Sequence, residues 1–149
     1  MNKSIKLELT FQSLKKSNYC VTSKITPVYN CIAWAAGEND RWWWPIPYEA
    51  PYYWPESGKD ELLEDFISGF GTLGYISCEN GDIEEGYEKV AIYVDEDGEV
   101  SHMARQLDTG LWTSKCGRLE DIQHNLEDLE GGDGYGYGKV SHFIKRKKR

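Results

Sequence analysis

The chain has 149 residues, 40% of them hydrophobic and 28% charged, and a formal net charge of −8. That length suffices for one domain with its own core, and the acidic balance argues against a protein that grips nucleic-acid phosphates. No stretch reaches transmembrane length, and the N-terminus lacks the apolar run of a secretory signal. A cytoplasmic protein is expected, with Cys20, Cys31, Cys78 and Cys116 as free thiols and no C-x-x-C pair to suggest zinc or dithiol redox chemistry.

Residues 1–18 form a peripheral stretch in which Ile5, Leu7, Leu9 and Phe11 alternate, predicting a strand. Tyr19-Cys20-Val21-Thr22 predicts a second, shorter one. Pro27 disfavours helix at Thr26, so a helix is expected only from the run Tyr29-Asn30-Cys31-Ile32-Ala33-Trp34-Ala35-Ala36-Gly37, with Gly37 ending it. Cys31 then sits at a helix N-terminus, where unpaired N–H groups and the helix dipole favour a thiolate and lower its pKa.

Residues 38–57 read as a long ordered loop. Trp42, Trp43, Trp44, Tyr48, Tyr52, Tyr53 and Trp54 alternate with Pro45, Pro47, Pro51 and Pro55, a proline density that excludes regular helix and sheet. So apolar a loop must pack on the core or wall a cleft beside Cys31. Ser57-Gly58-Lys59-Asp60 has the spacing of a capping box, and Leu62, Leu63, Phe66, Ile67 and Phe70 predict the helix it would open. Residues 75–78 predict a short strand. Residues 89–94, 100–106 and 111–115 predict a three-stranded meander with turns at Asp95-Glu96-Asp97-Gly98 and Leu107-Asp108-Thr109-Gly110. Residues 118–129 read as an amphipathic helix with Leu119, Ile122, Leu126 and Leu129 on one face and His124 on the solvent side. Residues 140–144 predict a last strand, and the basic run 145–149 a flexible, solvated tail.

A thiol nucleophile needs a base, and the base needs a third group to orient it. Of the three histidines, His102 on the middle strand of the meander is the best mounted. Ser114 or Thr113 across the next turn, or Gln106 on the same strand at even spacing, could orient its ring. Cys31, His102, Ser114 and Gln106 are therefore the candidate catalytic residues. Asn30, Trp34, Trp42, Trp43, Trp44 and Trp54 are the candidate binding residues, with no metal ligand and no cofactor among the expectations.

A helix-borne cysteine, a long insert and a meander with histidine on its middle strand together resemble the papain-like thiol hydrolases, in particular the bacterial cell-wall amidopeptidases and related amidases. In this chain Asn30 stands where that branch has Asp or Gln before the cysteine, Ile32 where it has a small residue, and Ser114 where its third polar residue falls. The resemblance implies an α+β fold with a papain-like core, the cysteine helix packed on a small antiparallel sheet with its meander at about 89–115. It also implies a single domain over 1–149 that hydrolyses an amide or isopeptide in a peptide, protein or other amide-bearing substrate. Cys31 would attack, His102 would shuttle the proton, and the Cys31 backbone N–H, with the Asn30 side chain, would meet the oxyanion. The strings YNCIAWAAG, RWWWP, HMARQ, TSKCG, DIQH and VSHFIKR also resemble a family of small bacterial proteins with no established activity. The competing expectation is a non-catalytic binding module that recognises a protein or small molecule through its aromatic loop.

Overall fold

A computed structural model describes residues 3–45, 52–56, 60–132 and 134–149. Its frame is a seven-stranded antiparallel sheet in the order β1-β6-β5-β4-β3-β7-β2, combined with three short α-helices. The strands are β1 (Cys20–Val21), β2 (Ile76–Cys78), β3 (Tyr87–Val94), β4 (Val100–Gln106), β5 (Trp112–Lys115), β6 (Asp121–His124) and β7 (Lys139–Lys147), and the helices α1 (Ile5–Thr10), α2 (Cys31–Ala35) and α3 (Leu63–Gly71). The expected meander is present as β3, β4 and β5, and β6 extends it by one more antiparallel neighbour.

Side chains alternate across the sheet, and both faces are covered. On one face Ile32 and Ala33 of α2 and Phe66 and Phe70 of α3 pack with Val90, Ile92, Met103 and Ile144. On the other, Leu7, Phe11 and Leu14 cover Ala91, Tyr93, Ala104, Trp112 and Ile122. Burial on both sides explains why residues 90–93 of β3 are all apolar.

Three sequence expectations are corrected. Residues 5–10 are helix, not strand: Ser4 caps the first turn through Leu7 N–H, and Ile5 and Leu9 point to solvent. The stripe that mattered is Leu7, Phe11 and Leu14, spaced four and three apart, and it makes this stretch part of the core instead of a peripheral arm. Residues 118–129 are not a helix. A tight turn closed by Leu119 N–H to Cys116 O leads into β6, and a single 3-10 turn follows at Leu126–Leu129. Leu119, Ile122, Leu126 and Leu129, spaced three, four and three apart across a turn, a strand and a 3-10 turn, imitate a 3.6-residue repeat. Residues Lys145–Lys147 of the supposed loose tail complete β7, where Lys145 pairs with Glu84 at 2.7 Å and Arg146 with Glu88 at 2.8 Å.

The aromatic loop forms one short pairing: Tyr53 N–H donates to Trp42 O and Trp44 N–H to Tyr53 O, each at 2.9 Å. Trp43 and Trp54 plug the core against Phe66 and Phe70. Gly69 of α3 is required there, because a Cβ would lie 2.2 Å from the Trp54 ring. The proposed capping signature at 57–60 falls on residues 57–59, outside the described residues; α3 instead starts at Leu63, with Leu62 N–H held by the Asp65 carboxylate at 3.1 Å. Among the described residues, no helix is long and apolar enough to cross a membrane.

Candidate active-site cleft

Cys31 is the first residue of α2, and Asn30 fixes its position. The Asn30 Oδ1 accepts the N–H groups of Ala33 and Trp43, both at 3.1 Å, while Nδ2 donates to Trp43 O at 2.9 Å. The buried Asn30 amide thus caps the helix and ties it to the aromatic loop. The expected part of Asn30 at an oxyanion would fall to its second Nδ2 N–H, since Oδ1 and the first N–H hold the helix and the loop. Cys31 is half-buried at the floor of a cavity of about 620 Å³, walled by Trp42, Trp44, Tyr52, Glu61 and Tyr137.

The helix start does not lower the thiol pKa as expected. Burial pushes it up to about 11, and the N–H groups of Met103, Ile32 and Cys31, with the Lys115 ammonium, offset only part of that rise. With five residues, α2 has too small a dipole to outweigh desolvation.

His102 is fully buried on the sheet face opposite α2, beside Tyr93. Its Nε2 lies 2.8 Å from Ser114 Oγ, and the same Oγ lies 2.7 Å from Nε2 of His124. The remaining His124 nitrogen, Nδ1, is 2.7 Å from the carbonyl of Asn125. A carbonyl only accepts, so His124 carries its proton on Nδ1 and its Nε2 is the acceptor. Ser114 therefore donates to His124 and accepts from His102 Nε2–H. His102 Nδ1 is left with a bare lone pair, and it has no hydrogen-bond partner among the described residues. Burial keeps both rings neutral: it brings His124 down to about 4, and it holds His102 well below the ordinary range, helped by His124. The Tyr137 ring lies flat on the His102 ring, with centroids 4.0 Å apart and planes 9° from parallel. Tyr137 also lines the cleft, which His102 does not.

The route between the thiol and the imidazole is a split in the sheet. β4 and β5 pair only at Arg105↔Thr113 and Gln106↔Trp112, after which β5 continues alongside β6. Met103 N–H reaches the Cys31 sulfur there. Cys31 and His102 flank this opening without a hydrogen bond between them.

The other candidates lie elsewhere. Gln106 donates to Gly81 O at 2.6 Å from the far end of β4, so it does not orient His102. Thr113 faces α2 and accepts the Trp34 indole N–H at 3.0 Å. That bond, the Tyr29 ring at 5.5 Å and the Arg105 guanidinium at 5.1 Å make Trp34 a clamp of α2 on the sheet instead of a cleft wall. Trp43 and Trp54 are core residues, which leaves Trp42 and Trp44 on the cleft. Sequence reasoning missed His124, Tyr137 and Glu61. Strand alternation after the Gly117 turn was the available signal for His124, since it puts Ile122 and His124 on one face; no comparable pattern marked Tyr137. Among the described residues no group of His, Cys, Asp and Glu is placed to hold a metal ion.

The fold and cleft define a mixed α/β protein built on one antiparallel sheet, with a cysteine at the mouth of a split between strands. The chain belongs to the DUF7689 family, a domain of unknown function, whose profile matches residues 20–145 and so spans Cys31, His102, Ser114 and His124. No curated protein and no solved structure matches it.

Proposed function

We propose that the chain is a cysteine hydrolase with a papain-like arrangement, acting on an amide or isopeptide bond. The observation that supports this most is the buried relay His102–Ser114–His124, which leaves one unshared lone pair, at His102 Nδ1, on the strand residue next to Met103, whose N–H reaches the Cys31 sulfur. Buried polar networks are costly and are normally fully satisfied, so an oriented imidazole with a vacant acceptor has the form of a general base. With the thiol pKa raised and that of His102 lowered, both groups rest neutral at pH 7. Chemistry then begins with general-base catalysis instead of a preformed thiolate–imidazolium pair.

The Cys31 sulfur attacks the carbonyl carbon as its proton passes to His102 Nδ1, and the positive charge is shared along Ser114 towards His124. The oxyanion forms beside the Cys31 and Ile32 N–H groups, which face the sulfur at rest, the Ala33 N–H being taken by Asn30. Collapse breaks the C–N bond, His102 returns the proton to the leaving amine, and a thioester remains on Cys31. Water, deprotonated by His102, attacks the thioester, releasing the acid and restoring the thiol.

The test is acylation by a p-nitrophenyl ester, followed by release of nitrophenol and by intact mass. Cys31→Ala abolishes the acyl adduct, and His102→Gln slows its formation about 10²–10⁴-fold. Equal acylation of Cys31 with and without His102 would refute the reading. The elevated thiol pKa and the absence of a ring nitrogen bonded to Cys31 favour a second reading, a non-catalytic recognition cleft walled by Trp42 and Trp44. Under it Cys31→Ser keeps ligand capture and Trp44→Ala loses it.

A further inference from the structure

Resting on the hydrolase reading, we propose that the cleft selects an acyl donor that carries a positively charged group of the lysine or arginine type next to its scissile amide. The side chains around Cys31 supply the argument. Trp42, Trp44, Tyr52 and Tyr137 give the cavity four aromatic walls, Glu61 gives it a carboxylate, and no basic side chain is among its described lining residues. Aromatic faces carry negative electrostatic potential and attract ammonium and guanidinium groups. Two guanidinium groups of the chain already use this aromatic loop: Arg118 lies 5.3 Å from the Trp42 ring and Arg41 lies 3.6 Å from that of Tyr53.

Glu61 adds direction to that general affinity. Its Oε1 accepts the Trp44 indole N–H, so the carboxylate is held at the cleft rim and not left to sweep through solvent. A carboxylate has acceptor sites beyond the one the indole uses, and a cation entering the cleft supplies matching donors. An anionic substrate would meet Glu61 and a chain of net charge −8. The Lys115 ammonium, which acts on the Cys31 sulfur, bonds the carbonyls of Gly117 and Leu119, and Arg118 lies against the Trp42 ring; neither is among the described lining residues of the cleft. A neutral substrate would leave the anchored carboxylate without a role. The cavity volume of about 620 Å³ accommodates one long cationic side chain with its flanking peptide units.

The experiment uses three methanethiosulfonate reagents of similar size, one bearing trimethylammonium, one neutral and one bearing sulfonate. Each forms a mixed disulfide with a thiolate and releases methanesulfinate. Rates at Cys31 are read by peptide mass in the full chain, with half-buried Cys20 as the internal reference for the general field of an acidic protein, since Cys78 lies beside Lys145. The cationic-to-anionic rate ratio at Cys31 should exceed that at Cys20 about tenfold and survive 0.5 M salt, which screens long-range charge. Glu61→Gln should remove roughly a threefold part of the excess, and Trp44→Phe, which frees the carboxylate, should also lower it. Equal ratios at the two cysteines, a preference for sulfonate, or no modification of Cys31 by any reagent overturns the proposal. The same rates in His102→Gln separate the two ideas: a charge preference that persists without any effect of His102 on acylation leaves the cleft cationic-selective and removes the hydrolase.

Discussion

Lowering the pH from 7 to 5 challenges two buried imidazoles that the fold holds neutral. In the unfolded chain His124 titrates near 6.5, and in the folded one near 4, because burial disfavours the charged ring. A base whose pKa is depressed by folding contributes stability that is fully present above the unfolded pKa. That stability is lost as the pH falls towards the folded value, because only the unfolded chain takes up the proton. The slope is about 1.4 kcal/mol per pH unit for each proton, so the 1.5 units between 6.5 and 5 remove about 2 kcal/mol on account of His124 alone. His102, lowered for the same reason, adds a loss of the same sign. Glu84 and Asp108, held low by Lys145 and Lys148, lose their contributions only at more acidic pH, below the ordinary carboxylate pKa. The buried carboxyls of Asp121 and Asp128 are raised and oppose the loss, so the measurement is a difference between variants. Urea unfolding followed by tryptophan fluorescence at pH 7 and pH 5 gives the wild-type change, and the same pair for His124→Gln should show a change smaller by about 2 kcal/mol. Identical changes in the two proteins would refute the reasoning, as would a His124 ring that titrates near 6.5 in the NMR spectrum of the folded wild type.

Three further outcomes follow from the same geometry. Asn30→Ala removes the cap of α2 and its tie to Trp43, and should lower stability by about 1–2 kcal/mol in urea titrations, with Asn30→Asp recovering part of it. Gly69→Ala forces a methyl into the Trp54 ring and should cost about 1–3 kcal/mol, whereas Gly71→Ala, where a Cβ meets nothing within 4 Å, should leave the melting temperature unchanged or raise it. Tyr137→Ala should uncover His102 and speed acylation of Cys31 by the nitrophenyl ester, an effect that vanishes in the double variant with His102→Gln.

What was legible in the sequence was local. The α2 segment announces itself through Pro27, the Asn30 cap and Gly37, which sits at φ 86° where an L side chain is strained. The β3–β4 hairpin is equally plain, with strand residues on both sides of an Asp-Gly turn. His102 and Ser114 could be nominated together because they stand on consecutive strands joined by a short turn. What was not legible depended on which face a residue took. Reading 118–129 as a helix turned His124 to solvent, and with it went the far end of the relay. The thiol pKa was mispredicted for a related reason: the helix start is a sequence-local feature, whereas desolvation comes from Tyr137, Lys115 and the aromatic loop closing over the sulfur from distant parts of the chain.

Tyr137 is fastened at three points: its N–H donates to Leu129 O at 2.8 Å, its carbonyl accepts from Ser101 Oγ, and the Gly117 backbone bonds its hydroxyl. Ala104, Trp112 and Ile122 line the same face of the sheet, so hydrocarbon packing alone would be served by apolar residues at 102, 114 and 124. Against that background the Tyr137 ring stacks on the π face of His102, and the Nδ1 lone pair, which lies in the imidazole plane, is left unbonded. A buried unsatisfied nitrogen costs about 1–3 kcal/mol, and a stacked aromatic pair returns about 0.5–1.5 kcal/mol. The stack thus offsets only part of the cost of the unpaired nitrogen, and a donor that reaches Nδ1 in the ring plane is favoured without loss of the stack. Tyr137 adjoins Gly138, where any Cβ would lie 2.0 Å from Val94 O and which pairs with Gly131, so its backbone belongs to the fixed base of the glycine-rich segment. A donor that reaches His102 Nδ1 would satisfy the unpaired nitrogen of the relay, and the proposed hydrolase reading gives that part to the Cys31 thiol.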